Sequence, residues 1–181
     1  MRRVILSAAM SLDGYIAGPD GEIDWIVMDP DMDFGALMAR FDTVLMGRRS
    51  YEHSLEQGQA GMPGMRTVVI SRTLRPADSP GITVSADPAA TIAGLKSERG
   101  KDIWLFGGAS LFASLLEGRL VDALELAVIP VLLGAGLGLC PGLAGPARLQ
   151  LVGHRVYEKT GTVTLEFVPG APRRGSDGVV Q

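Results

Sequence analysis

Short apolar runs alternate along this chain with longer amphipathic segments, and no other feature of the sequence limits the fold as much. Continuous apolar runs predict strands, whereas apolar residues three or four positions apart predict helices. The predicted strands cover residues 4–9, 43–46, 66–71, 82–84, 102–106 and 123–132, and the predicted helices cover residues 31–40, 49–55, 88–97 and 110–117. This alternation indicates an α/β fold.

The C-terminal part departs from the alternation. Residues 149–157 and 162–168 predict two strands with a turn at 159–161, which is the pattern of a β-hairpin. Residues 170–181 are polar and rich in glycine, so we expect a flexible tail there. Residues 1–169 predict one domain, because a chain of 181 residues has the length of a single domain.

Composition argues against several functional classes. The net charge of −3 lacks the basic balance of a nucleic-acid-binding domain, and no apolar stretch reaches the roughly 20 residues of a membrane span. The single cysteine, Cys140, excludes an internal disulfide, and no His/Cys cluster has the spacing of a metal site. We therefore expect a cytoplasmic protein that binds neither nucleic acid nor membrane and holds no metal.

Three predicted strands end in residues that suit a phosphate site. The strand at 43–46 is followed by Gly47, Arg48, Arg49 and Ser50, where a helix is predicted to begin. Glycine lets a ligand approach the backbone closely, free N–H groups at a helix N-terminus attract anions, and arginine and serine donate hydrogen bonds to phosphate. A helix cap flanked by surface arginines would give the same pattern.

The other two strand ends repeat the arrangement. Gly107 and Gly108 separate a strand from a helix, so a pyrophosphate could lie against backbone amides there, although tight strand–helix packing also explains the pair. Ser71 and Arg72 lie at the end of the predicted strand at 66–71, and their groups suit a monophosphate such as the 2′-phosphate of NADP or simple solvation. Ligands of open α/β sheets bind at such carboxyl ends of strands.

Three segments, in this order, resemble the dihydrofolate-reductase-like superfamily. They are Ala8-Ala9-Met10-Ser11-Leu12-Asp13-Gly14-Tyr15-Ile16-Ala17, the turn Gly47-Arg48-Arg49-Ser50-Tyr51-Glu52, and residues 104–136 with their Gly-Gly turn and Ile129-Pro130-Val131-Leu132-Leu133-Gly134. Within the superfamily they look most similar to the reductase domain of bifunctional riboflavin-biosynthesis deaminase-reductases. The resemblance covers about residues 2–168, and the order and spacing of the motifs make it specific.

This resemblance implies a fold and a cofactor. The implied fold is a three-layer dihydrofolate-reductase-like α/β fold, with a mixed, mostly parallel central sheet, helices on both faces and a C-terminal β-hairpin. The implied cofactor is NADPH, with Ala8 and Ile16 beside the nicotinamide through backbone groups. The residues implied to hold its phosphates and its adenosine end are Gly47, Arg48, Arg49, Ser50, Ser71, Arg72, Gly107, Gly108, Ala109, Ser110 and Leu111.

The substrate side has two candidate catalytic carboxylates. Asp13 is expected beside the nicotinamide, where it either binds a polar substrate or shapes a turn with Gly14. Dihydrofolate reductases carry a carboxylate on their first helix, and Asp33 lies near that region, where capping the helix is the alternative. Riboflavin-pathway reductases usually have Glu before the Gly-Gly pair, whereas this chain has Phe106.

The resemblance implies an NADPH-dependent reductase of a small pyrimidine- or pterin-like substrate, similar to the 5-amino-6-(5-phosphoribosylamino)uracil reductase domain. The alternatives are a dihydrofolate-reductase-type activity and a non-catalytic NADP-binding module. Zinc-dependent deamination is excluded, because the chain has no His-x-Glu with Pro-Cys-x-x-Cys. The resemblance also implies a homodimer that pairs through sheet edges or through the apolar strand at 123–133.

Overall fold

The computed structural model describes residues 1–170, so most of the predicted tail lies outside the described residues. The strands in chain order are β1 (Val4–Ser11), β2 (Tyr15–Ala17), β3 (Phe41–Gly47), β4 (Arg66–Ile70), β5 (Thr83–Ser85), β6 (Asp102–Gly107), β7 (Ala123–Ile129), β8 (Leu137–Gly138), β9 (Leu149–Tyr157) and β10 (Thr162–Pro169). Eight of them form one sheet in the order β5-β4-β3-β6-β1-β7-β10-β9, and β2 pairs with β8 in a small second sheet.

The large sheet is mixed and mostly parallel, as the sequence predicted. Strands β5, β4, β3, β6, β1 and β7 run parallel, whereas β10 is antiparallel to both β7 and β9. The helices are α1 (Phe34–Met38), α2 (Arg48–Glu56), α3 (Pro88–Ser97) and α4 (Ala109–Glu117), and residues Pro76–Asp78 form one turn of 3-10 helix.

Helices cover both faces of the sheet, which confirms the predicted three layers. On one face, Ile92 and Leu95 of α3 and Phe112 and Leu115 of α4 pack on apolar side chains of the parallel strands. On the other face, Tyr51 of α2 is buried in an apolar cluster, and Met38 of α1 packs against the same cluster. Fully burying one such large apolar side chain stabilises the fold by roughly 1.5–3 kcal/mol, so these contacts hold the strand ends in place.

The loop between β1 and β3 differs most from its predicted structure. A helix was predicted over 31–40, but α1 contains only Phe34–Met38 and buries none of its residues. Helices this short depend on tertiary packing, and α1 contains Gly35, which weakens it further. Strands β2 and β8 lie in segments where no strand was predicted, because strands of two or three residues leave no periodic pattern in the sequence.

A buried carboxylate fastens this loop to the C-terminal hairpin. Asp29, 2% exposed, accepts hydrogen bonds from the Thr160 backbone N–H (3.0 Å), the Thr160 hydroxyl (2.9 Å) and the Asp31 backbone N–H (2.9 Å). Burial alone would raise the pKa of Asp29, but these hydrogen bonds outweigh it and hold the pKa below its ordinary value. Asp29 is therefore ionised at neutral pH, and its charge is matched by backbone donors.

A buried arginine organises the opposite end of the sheet. Arg2, 5% exposed, donates to Asp42, to the Thr43 hydroxyl (2.6 Å) and to the carbonyl oxygens of Lys101 (2.7 Å) and Leu95 (3.3 Å). It thereby joins the segment before β1 to β3, α3 and the segment before β6. Buried guanidinium groups are tolerated only when their donors are satisfied in this way.

Strand β7 lies inside the sheet, between β1 and β10. It therefore offers no free edge for pairing with a second chain, unlike the expectation for residues 123–133. The edge strands are β5 and β9, and β9 exposes the apolar side chains of Leu149, Leu151, Val152 and Val156. Within residues 1–170, no helix has the length and apolar character needed to cross a membrane.

Candidate functional site

The sheet splits at the carboxyl ends of its two central strands. The pairing of β1 with β6 ends at Leu6 and Leu105. Beyond that point β1 stays paired with β7 as far as Ser11, and β6 stays paired with β3 as far as Gly107. The chain leaves β1 toward α1 on one face and leaves β6 into α4 on the other, which is the arrangement that creates a ligand crevice in α/β sheets.

The backbone of β1 directs polar groups into this split. Arg3 O accepts from Ile103 N on the β6 side, whereas Val4 O accepts from Asp122 N on the β7 side. Because backbone groups alternate sides along a strand, the N–H and C=O of Ala9 face the split and those of Ala8 pair with β7. The strand neighbour that would satisfy the groups of Ala9 ends before reaching them, so they are free to bind a planar amide.

Two helix N-termini flank the split. Residues Met46 and Gly107 are paired, so α2, which follows Gly47, begins beside α4, which follows Gly108. Aspartates cap α1 and α3, but within residues 1–170 no side chain caps α2 or α4. The first N–H groups of α2 and α4 therefore remain available to an anion, and both helix dipoles present their positive ends there.

Glycines keep the space between these helices open. A Cβ atom built on Gly47 would lie 3.6 Å from Gly108 N and 3.8 Å from Leu111 Cβ, and one built on Gly108 would lie 3.2 Å from Ser50 Oγ. The Gly107–Gly108 peptide is cis, and Gly107 has a φ of 127°, which side-chain-bearing residues rarely adopt. Any side chain at this turn would therefore occupy the space in front of the exposed amides.

A basic groove of about 560 Å³ continues from the helix N-termini toward β4 and β5. Its lining includes Arg48, Ser71, Arg72, Thr73 and Leu111. Arg48 is exposed and pairs with Glu52 at 2.7 Å, and Ser71 Oγ accepts from the N–H groups of Thr73 (3.1 Å) and Leu74 (2.9 Å). The structure thus places four of the predicted cofactor residues, Arg48, Ser71, Arg72 and Leu111, on one groove, with Arg49 and Ser110 exposed at the same helix starts.

Comparison with known proteins identifies the family. The sequence model of the RibD C-terminal domain family matches residues 2–163 of this chain. The chain belongs to the RibD C-terminal domain family. It is similar to YyaP, an uncharacterised protein of Bacillus subtilis strain 168, with 34% identity over 92% of this chain and 94% of YyaP.

Two solved structures show how widely the fold of this RibD C-terminal domain is shared. The structure of a candidate riboflavin biosynthesis protein from Shewanella sp. PV-4 has a TM-score of 0.78 and 24% identity to this chain, and the match covers 93% of this chain and 99% of that protein. Dihydrofolate reductase from Enterococcus faecalis, complexed with NADP(H), has a TM-score of 0.68 and 17% identity, covering 93% and 97%. The dihydrofolate-reductase-like fold inferred from the sequence is thereby confirmed.

Both predicted carboxylates of this RibD C-terminal domain are engaged with the backbone. Asp33 Oδ1 accepts from Ala36 N at 2.8 Å and caps α1. Asp13 accepts from the Ser11 hydroxyl at 2.6 Å and from Gly134 N at 2.7 Å. These bonds, that from Ser11 most strongly, hold the pKa of Asp13 below its usual range, so the group is ionised at neutral pH and is a weak general acid.

Aromatic side chains line the face of the split that α1 and α2 cover. Phe106, 36% exposed, lies edge-on to Trp104 with ring centroids 5.2 Å apart, and Trp104 Nε1 donates to Ser7 O at 3.0 Å. On the same face, Arg40 holds Glu125 through two hydrogen bonds of 3.0 and 2.6 Å. Sequence reasoning missed Ala9, Ser7 and Trp104, because their roles depend on which strand neighbours end early.

Proposed function

We propose that this protein is an NADPH-dependent reductase of a small pyrimidine- or pterin-like substrate. The observation that carries the proposal is a continuous path, from the split beside Ala9, past the uncapped starts of α2 and α4, to the groove at Arg48 and Arg72. The path offers, in order, backbone groups for a carboxamide, helix N-termini for a pyrophosphate, and a cationic groove for a further phosphate. This order matches the chemical order of groups along NADPH.

The residues present fit that cofactor. The N–H and C=O of Ala9 would hold the carboxamide, and Ala8 and Ile16 would border the ring. Gly47, Ser50 and the segment Gly107 to Leu111 would hold the pyrophosphate, since no side chain stands in front of their amides. Arg48, Arg49, Ser71 and Arg72 would hold the adenosine end and its 2′-phosphate.

The chain's contribution to the reaction is orientation and exclusion of water. The bound nicotinamide supplies the hydride, as in other nicotinamide-dependent reductases. Phe106 and Trp104 present an apolar face beside the split, against which a planar substrate ring can pack. Asp33 and Asp13 order the adjoining backbone by accepting hydrogen bonds from its N–H groups.

A second candidate is a non-catalytic NADP-binding module. It is favoured by the engagement of both predicted carboxylates with backbone N–H groups, which leaves neither placed as a proton donor. Loss of NADPH absorbance at 340 nm with dihydrofolate or with the ribosylated aminouracil would exclude this candidate. Tight NADPH binding without turnover of either compound would favour it.

Arg72→Ala should weaken NADPH binding about 10- to 100-fold and leave NADH binding unchanged, because one charge-assisted contact to the 2′-phosphate is worth roughly 1.5–3 kcal/mol. Quenching of the tryptophan fluorescence, to which Trp104 beside the split contributes together with Trp25, reports both titrations. Arg75→Ala is the matched control, since Arg75 lies three positions further along the chain and is not among the groove residues. A wild-type protein that binds neither nucleotide would overturn the proposed function.

We also propose that two copies pair through β9. This edge strand carries exposed apolar side chains on Leu151 (50%) and Val156 (55%), and exposed apolar edges favour pairing with another chain. Light scattering should give the mass of a dimer for the wild type and of a monomer for Leu151→Glu with Val156→Lys. A monomeric wild type at micromolar concentration contradicts the pairing.

A further inference from the structure

Asp13 joins two segments that are about 120 residues apart in the chain. Its carboxylate accepts from the N–H groups of Leu133 (3.1 Å) and Gly134 (2.7 Å) on one side and from the Ser11 hydroxyl (2.6 Å) on the other. Ser11 is fully buried, and its oxygen also accepts from Tyr15 N at 2.9 Å. One ionised group thus satisfies donors from both segments.

Other backbone contacts continue this junction on both sides of Asp13. Leu12 N donates to Val131 O at 2.9 Å, and Leu139 N donates to Gly14 O at 3.0 Å. Beyond them β2 pairs with β8, and the backbones approach so closely that a Cβ atom on Gly136 would lie 2.2 Å from Ala17 O. Residues 11–17 and 131–139 therefore form one two-stranded unit.

This unit lies beyond the end of β1, next to the split, and it includes Ile16. The side chain of Asp13 is exposed, and its carboxylate binds backbone donors of the 131–139 segment. Hydrogen bonds to a charged acceptor are about twice as strong as neutral ones, so Asp13 is the strongest single link between the segments.

We propose that Asp13 is a positioning residue that fastens residues 11–17 to residues 131–139, so that both segments cover the nicotinamide position as one flap. The role in cofactor retention rests on the proposed function. The fastening itself rests only on the contacts within the chain. Asp13 is thereby assigned to holding the cofactor in place and not to proton transfer.

Hydrogen exchange of the wild type, Asp13→Ala, Asp13→Asn and the control Asp24→Asn tests the fastening. In Asp13→Ala we expect exchange to rise about tenfold or more, together, at residues 14–17 and at residues 133–139, since the link between the segments is lost. The exchange rates of Asp13→Asn should lie between those of the wild type and Asp13→Ala, because asparagine keeps one acceptor oxygen. Faster exchange near residue 13 with unchanged exchange at 133–139 would overturn the fastening.

Stopped-flow kinetics of NADPH binding test the role as a flap. In Asp13→Ala the dissociation rate should rise about tenfold while the association rate changes less than about twofold, because a loosened cover speeds release more than entry. Equal dissociation rates in Asp13→Ala and the wild type, with faster exchange, would show that Asp13 only stabilises the loop and would overturn the proposal. If the wild type binds no NADPH, the retention role falls with the proposed function, and the exchange result alone decides the fastening.

Discussion

Gly47→Ala should weaken NADPH binding at least about 100-fold while the protein stays folded. The added methyl group would stand between the starts of α2 and α4, in front of the amides proposed to bind pyrophosphate. Losing two such contacts costs about 3 kcal/mol or more, and each 1.4 kcal/mol is a factor of ten in affinity. Titration followed by tryptophan fluorescence measures the loss of affinity.

The fold should tolerate this change for reasons visible in the structure. Gly47 has a φ of −82°, which alanine adopts freely, and the new Cβ would meet its nearest neighbour at 3.6 Å, an ordinary contact distance. Replacing glycine by alanine at a helix N-cap costs about 1 kcal/mol or less. The melting temperature should therefore fall by only about 2–4 °C.

Gly94→Ala is the matched control, because Gly94 lies in α3 and a Cβ atom there meets nothing within 4 Å. It should stabilise the helix by about 0.5–1 kcal/mol and leave NADPH affinity unchanged. Unaltered affinity in Gly47→Ala would show that the nucleotide does not lie between α2 and α4, and a large loss of stability would show that the contact is tighter than the structure gives.

Arg2→Met should lower the free energy of unfolding by about 3 kcal/mol, the largest stability effect we expect from a single polar residue. The change leaves the carbonyl oxygens of Leu95 and Lys101 without their donor, and it leaves Asp42 without its buried partner. This loss of unfolding free energy lies at the lower end of the range for a broken buried ion pair, because Asp42 and Glu98 are partly exposed and water can reach them. Urea unfolding measures it.

Arg3→Met provides the comparison within the same segment. Arg3 pairs with Asp102 at 2.8 Å, but its side chain is 55% exposed, so its loss should cost less than about 1 kcal/mol. Equal losses of unfolding free energy in the two variants would contradict this prediction, because they would mean that the burial of Arg2 contributes nothing to stability.

Local signals explain which parts of the fold the sequence predicted. The helix at 88–97 was predicted with the bounds that the structure shows, because Pro88 suits the first turn of a helix. The strand ends at Gly47 and Gly107 were found because glycine before a helix is a local pattern. Helix α1 was predicted too long, since nothing local shows that its apolar residues would stay unburied.

Features that depend on contacts between distant residues could not be predicted from the sequence. The split depends on where the pairing of β1 with β6 stops, and the fastening by Asp13 depends on contacts with residues 133 and 134. A residue-by-residue reading could propose a turn or a substrate contact for Asp13, but only the three-dimensional arrangement separates these roles. For the same reason the resemblance indicated Ala8, whereas strand alternation directs Ala9 into the split.

The split in the sheet has a consequence for how this fold diversifies. Its polar groups belong to the main chain, so a substitution by any residue other than proline leaves their identity unchanged, and their direction is fixed while the strands stay paired. Side chains along the adjoining face, such as Phe106, are free to vary without disturbing them. A fold of this kind can accept a different compound by substitution along that face, while the main-chain site proposed for the cofactor stays unchanged.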